Sequence, residues 1–124
     1  LDQIFHKYEL DVISLIAPTS KERIKAIAAE AQGFVYCVSS LGVTGVRDNI
    51  SQGVAEMVRE VKKVKDIPCA VGFGISTPEQ AENMAAVSDG VIVGSAIVRI
   101  VGEYGRECVE KVGEYVRSMK EALG

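Results

Sequence analysis

Three short glycine-bearing segments are where this sequence could do chemistry: residues 42–45 (GVTG), 72–76 (GFGIS) and 94–97 (GSAI). Glycine lets a ligand approach the backbone closely and tolerates positive φ. Each segment follows an apolar run of strand length, and two lead quickly into a helical pattern. The unpaired N–H groups and partial positive charge at a helix start suit a phosphate. Two nucleotide motifs fail on spacing. Gly72 and Gly74 open a G-x-G, but Thr77 stands where the third glycine of G-x-G-x-x-G belongs. No Gly-Lys-Ser/Thr occurs, so there is no nucleotide P-loop. What remains is a cradle of backbone N–H groups drawn from two or three loops. Barrel enzymes build such a cradle after their last strands, at the start of a short extra helix. Gly94 and Ser95 fit that place if the strands of this chain are the last four of eight.

Side-chain chemistry is thin. The one histidine, His6, lies in a Lys- and Tyr-containing helical stretch ahead of every motif and reads as a surface residue. It cannot support Ser/His/Asp or Cys/His catalysis or a His-based metal site. The cysteines Cys37, Cys69 and Cys108 are widely spaced, with no C-x-x-C pair, and read as small apolar core residues of a reducing compartment. Asp66 and Asp89 read as turn residues and Glu79 as part of a helix cap. No acid–base pair emerges. Tyr36 either faces a ligand cavity or packs under a helix. Thr44 sits in a loop, 40–53, longer than the usual strand-to-helix connection and therefore a candidate lid. Arg47 and Asp48 in that loop read as solvated.

The elements that must position these residues alternate strand and helix. Apolar runs at 11–18, 34–39, 69–73 and 90–94 have strand length, and the second is apolar nearly throughout, as for a parallel strand buried on both faces. Thr19 with Glu22 predicts a capping box, followed by the apolar face Ile24, Ile27, Ala28 and Ala31, with Gly33 closing the helix. Val54, Met57, Val58 and Val61 mark a second helix that Pro68 terminates. Thr77 and Gln80, with Pro78 at the first helical position, predict another capping box, and Ala81, Met84 and Ala85 give that helix its apolar face. A short helix at 95–101 and an amphipathic one marked by Cys108, Val112, Val116, Met119 and Leu123 complete the pattern. Four consecutive βα units imply an α/β fold with a parallel sheet, either doubly wound or part of a (β/α)8 barrel. A whole barrel takes about 250 residues, so 124 residues would be half of one.

Composition bounds the function classes. A hydrophobic fraction of 48% rules out disorder. A net charge of −3 argues against nucleic acid as a partner. No apolar run is long enough to span a membrane. The absence of a visible signal peptide makes the cytoplasm the expected compartment. The chain begins at Leu1, and its first ten residues look like the tail of a helix, so it reads as a fragment.

Taken in order, residues 39–45 (SSLGVTG), 71–80 (VGFGISTPEQ) and 89–98 (DGVIVGSAIV), with 15–20 (LIAPTS), resemble the tryptophan synthase α-subunit family. The resemblance covers essentially all of residues 1–124. It implies a (β/α)8 TIM barrel, of which this chain is the C-terminal half-barrel carrying strands 5–8 and the phosphate-binding loops. It implies a lyase of tryptophan biosynthesis that cleaves indole-3-glycerol phosphate to indole and glyceraldehyde 3-phosphate by a retro-aldol step. The Glu and Asp that run this chemistry belong to the first half, so the resemblance implies an inactive fragment with no catalytic residue. Gly45, Phe73, Gly74, Gly94 and Ser95 match the phosphate-binding positions. Tyr36 matches a residue of the indole pocket and Thr44 the lid threonine that helps position the catalytic Asp. The implied partners are the substrate or a phosphate or sulfate ion, the β subunit, and an N-terminal half-barrel or a second copy of this chain. No cofactor is implied here, because pyridoxal phosphate belongs to the β subunit. Two alternatives stay open: a self-associating, catalytically inert half-barrel, and another phosphate-binding barrel such as a sugar-phosphate isomerase or epimerase.

Overall fold

The computed structural model describes residues 1–39, 47–72 and 74–124, the side chains of 47–51 excepted. The elements run α1 (Asp2–Lys7), β1 (Ser14–Ile16), a 3₁₀ turn (Pro18–Arg23), α2 (Ile24–Glu30), β2 (Val35–Val38), α3 (Arg47–Val64), β3 (Cys69–Gly72), α4 (Pro78–Ala85), β4 (Gly90–Val91), α5 (Ser95–Tyr104), a second 3₁₀ turn (Gly105–Glu107) and α6 (Cys108–Leu123). The four strands form one parallel sheet in the order β1-β2-β3-β4. Each strand therefore pairs with its successor in the chain, as around a barrel. A doubly wound sheet would reverse direction at a switch point.

Register explains why the two faces differ. Ile16, Cys37, Val71 and Val91 lie in one row across the sheet, and Leu15, Tyr36, Ala70 and Gly90 in the next. Successive residues of a strand face opposite sides. The row containing Ile16 is covered by the helices: Ile16 is 1% exposed, and Cys37 and Val71 are fully buried. The helices supply Ile24, Ala28 and Ala31 from the α2 side, Val54, Met57, Val58 and Val61 from α3, Ala81 and Met84 from α4, and Met119 from α6. Burial of each large side chain contributes on the order of 1.5–3 kcal/mol. The other row is bare at its β1 end, where Leu15 is 59% exposed. The half-buried Tyr36 lies on that bare face, opposite the buried Cys37.

Several boundaries differ from the sequence expectation. The predicted loop 40–53 does not extend to Gly53, because residues 47–53 already belong to α3. Apolar periodicity becomes visible only at Val54, whereas Asp48 and Asn49 suit the start of a helix. Arg47 and Asp48 are thus helical rather than loop residues. Thr19 does not cap α2. Pro18 starts a 3₁₀ turn instead, in which Ser20 donates its N–H to the Ala17 carbonyl at 2.8 Å and its Oγ accepts the Ala17 N–H at 3.2 Å. Gly33 does not close α2 either. The helix ends at Glu30, Ala31 is extended, and Gly33 turns the chain at φ +71° toward β2. A Cβ there would also stand 3.0 Å from Ile13 Cδ1. Strand 90–94 shrinks to Gly90–Val91, although Ile92 still donates to the Val71 carbonyl at 2.7 Å. Of the expected α6 face, only Met119 is buried. No described helix is long and apolar enough to cross a membrane.

Candidate functional site

In a parallel sheet all strand carboxyl ends share one edge, and there the described parts of the 72–76 and 94–97 segments emerge. Ser39, just past β2, donates both its N–H (3.1 Å) and its Oγ–H (2.9 Å) to the Gly72 carbonyl at the end of β3. This pair of bonds ties the two strand ends together where their loops depart.

Beyond β3 the chain turns at Gly74, which is exposed and has φ +79°, a conformation that favours glycine. Ile75 then anchors in the core. The Thr77 capping box forms as predicted. Thr77 Oγ1 accepts the Gln80 N–H at 3.2 Å, and Gln80 Oε1 accepts the N–H groups of Thr77 (3.1 Å) and Ser76 (2.9 Å). Beyond β4, Gly94 caps α5, its carbonyl accepting the N–H groups of Ile97 (3.0 Å) and Val98 (3.1 Å). The N–H groups of Ser95 and Ala96, at the helix start, have no intrahelical acceptor to reach. Gly94 and Ser95 are exposed, and the first turn of α5 carries no acidic side chain to offset its positive end. Two glycine loops thus leave neighbouring strands at one edge, each presenting backbone to solvent.

Tyr36 resolves toward the bare face. A Cβ on Gly72 would collide with the Tyr36 ring and hydroxyl, so the ring lies directly across that glycine. Gly72 therefore has a packing role that the sequence reading, which assigned it to the ligand loop, did not foresee. Gly74, Gly94, Ser95 and Tyr36 all lie at or near the carboxyl ends of β2–β4. Gly45, Thr44 and Phe73, expected at the phosphate and the lid, lie outside the described residues.

The opposite edge holds a different cluster. Asp89, read from sequence as a turn residue, accepts the Cys69 N–H at 2.8 Å and pairs with Lys62 Nζ at 2.9 Å. Lys62 also donates to the Ile67 carbonyl at 2.8 Å. The Lys62 ammonium and the Cys69 N–H hold the Asp89 carboxyl below its ordinary pKa, and the same ion pair raises that of Lys62. Cys37 is fully buried, and the neighbouring Cys69 thiol together with burial pushes its own thiol well above the usual range. His6 is exposed on α1, beside a cavity of about 510 Å³ whose described lining residues include none from the glycine loops. Among the described residues no group of three or more His, Cys, Asp or Glu could hold a metal.

Two more residues escaped the sequence reading. Ser39 and Tyr115 both act through bonds to residues more than thirty positions away in the chain, Tyr115 donating its hydroxyl to the Ser76 carbonyl at 2.5 Å. No local pattern signals such partners.

Residues 1–124 match the family model described as tryptophan synthase alpha chain. The chain belongs to that family. It is 52% identical over 132 aligned residues to the tryptophan synthase alpha chain of Geobacillus stearothermophilus, covering 99% of this chain and 49% of the relative. It is 59% identical over 97 residues to that of Halalkalibacterium halodurans, covering 78% and 37%. Among solved structures, the tryptophan synthase subunit alpha of Campylobacter jejuni superposes with a TM-score of 0.82 at 31% identity, over 93% of this chain and 47% of that one. A chain of the tryptophan synthase α2β2 complex from the hyperthermophile Pyrococcus furiosus superposes with a TM-score of 0.77 at 36% identity, over 96% and 49%. The chain thus spans about half the length of the relatives it matches. Its four consecutive parallel strands with flanking helices correspond to half of their (β/α)8 barrel.

Proposed function

We propose that this chain supplies the phosphate-binding and indole-facing half of a tryptophan synthase α lyase, which cleaves indole-3-glycerol phosphate to indole and glyceraldehyde 3-phosphate. One observation carries this reading. The Gly74 loop and the Gly94–Ser95 start of α5 leave adjacent strands at the edge where Tyr36 lies across Gly72. Backbone N–H groups at that edge hold the phosphate dianion, and the Tyr36 ring offers an aromatic wall to the indole. Gly45 and Phe73 complete the cradle, and Thr44 belongs to its lid. The retro-aldol step also needs an acid and a base. Asp89 is engaged by Lys62 and Cys69 at the other edge, and the Glu and Asp that serve the family belong to the other half-barrel, so the chain by itself binds without turning over. The whole protein takes the β subunit as partner, and pyridoxal phosphate belongs to that subunit. Titration of the ¹⁵N-labelled chain with glycerol 3-phosphate tests the reading. Saturable shifts of the Gly74, Gly94 and Ser95 amides support it, and their absence refutes it. Release of indole by the pure chain refutes the division of labour.

A second reading rests on the exposed Leu15 and the unshared edges of β1 and β4 within this sheet. Two copies would cover each other's bare face and form a self-associated, inert half-barrel. Native mass spectrometry decides it: a concentration-dependent dimer supports the assembly, and a monomer at high protein concentration excludes it.

A further inference from the structure

We infer that Tyr115 is a positioning residue for the phosphate cradle, its hydroxyl fixing the Ser76 carbonyl and thereby the aim of the Gly74 amide. The inference rests on the phosphate reading above and names a residue of the last helix that sets how well the site is formed.

The loop between β3 and α4 is held from two sides. From α4, Gln80 Oε1 takes the Ser76 N–H (2.9 Å), the Ser76 Oγ–H (3.2 Å) and the Thr77 N–H (3.1 Å). From α6, Tyr115 donates its hydroxyl to the Ser76 carbonyl at 2.5 Å. Both peptide planes flanking Ser76 are therefore bonded, and Ile75 is pinned in the core. Gly74, at φ +79°, is the pliable link that remains. A glycine amide is a good phosphate donor only where its neighbours restrict it, because an unrestricted glycine loses conformational entropy on binding. Tyr115 is suited to supply that restriction. Its ring packs against the core beside the buried Met119, so its hydroxyl is carried by a docked helix rather than a free side chain. The bond links residues 39 positions apart, so it ties the loop to a helix remote in the chain at one point, the Tyr115 hydroxyl.

Tyr115→Phe isolates the hydroxyl, because the ring and its packing remain. A control, Leu123→Ala, loosens α6 against the core while keeping the hydroxyl. Inorganic phosphate is titrated into the full ¹⁵N-labelled chain, with amide shifts and thermal unfolding followed for each variant. Tyr115→Phe is expected to weaken phosphate binding about threefold to tenfold, the range set by one lost hydrogen bond, and to move the free Gly74 amide resonance with little change in Tm. Leu123→Ala is expected to lower Tm and leave phosphate affinity within about twofold of wild type. Equal phosphate affinity in wild type and Tyr115→Phe overturns the positioning role while leaving the site intact. Affinity that tracks Tm alike in both variants also overturns it, since the contribution would then be merely structural. A wild-type chain that binds no phosphate overturns the phosphate reading, and this inference with it.

Discussion

Replacing Asp89 should separate what holds this sheet together from what binds its ligand. Its carboxylate accepts the Cys69 N–H at 2.8 Å and meets Lys62 Nζ at 2.9 Å. A hydrogen bond to a charged group is worth about 1.5–3 kcal/mol. The ion pair adds little, because its side chains are 35% and 47% exposed, and pairs in water contribute only about 0.2–1 kcal/mol. Asp89→Ala should therefore cost about 2–3 kcal/mol. Asp89→Asn keeps an oxygen for the Cys69 N–H and should cost about 1 kcal/mol. Urea unfolding followed by far-UV circular dichroism measures both. The pH dependence supplies a second handle. The folded carboxyl titrates below its unfolded value, which is about 3.9, so its contribution is complete above that pH and is lost as pH falls through the folded pKa. The stability gap between wild type and Asp89→Asn should stay constant from neutrality to about pH 5 and close below about pH 4. An Asp89→Ala variant within about 0.5 kcal/mol of wild type would refute the assignment. So would an Asn variant as costly as Ala, or a gap that widens on acidification.

Other substitutions probe the carboxyl edge and the bare face. Gly72→Ala puts a Cβ into the Tyr36 ring and should swing that side chain away; indole binding, measured by ligand-observed NMR, should weaken severalfold with a modest loss of stability. Thr77→Ala removes the α4 cap and should cost about 1 kcal/mol in thermal unfolding. Leu15→Lys places a charge on the exposed row of β1 and should leave folding intact while abolishing any dimer seen by sedimentation; a dimer that persists would locate the interface elsewhere.

Local pattern carried much of the fold. The stripe Val54, Met57, Val58 and Val61 is buried residue for residue, because a helix against a sheet needs that period and little else sets it. The Thr77 box formed because its two partners lie three residues apart. Thr19 had the same spacing, but Pro18 imposed a tighter turn first. Periodicity also overstated α6. It marks an apolar face but not whether anything packs on each part of it, and Val116 stays largely exposed where Met119 is buried. The residues that were missed share one property. Asp89, Ser39 and Tyr115 bond partners 20, 33 and 39 residues away, and only the completed sheet brings them together.

Those same three bonds divide the sheet into two edges with different duties. At the amino edge Asp89 joins the starts of β3 and β4, at the other end of those strands from Gly74 and Gly94. At the carboxyl edge Ser39 and Tyr115 hold the very segments from which the loops leave. In barrels built of βα units, ligands gather at the carboxyl edge and the amino edge serves stability. The two edges should therefore respond independently. Asp89→Ala should lower stability with phosphate affinity unchanged, and Tyr115→Phe should lower affinity with stability nearly unchanged. Combined, the two effects should add, because sites that share no partner rarely couple by more than about 0.5 kcal/mol. A double variant whose phosphate affinity falls well beyond that of Tyr115→Phe alone would show that the amino edge reaches the loops, and the separation of scaffold from site would fail.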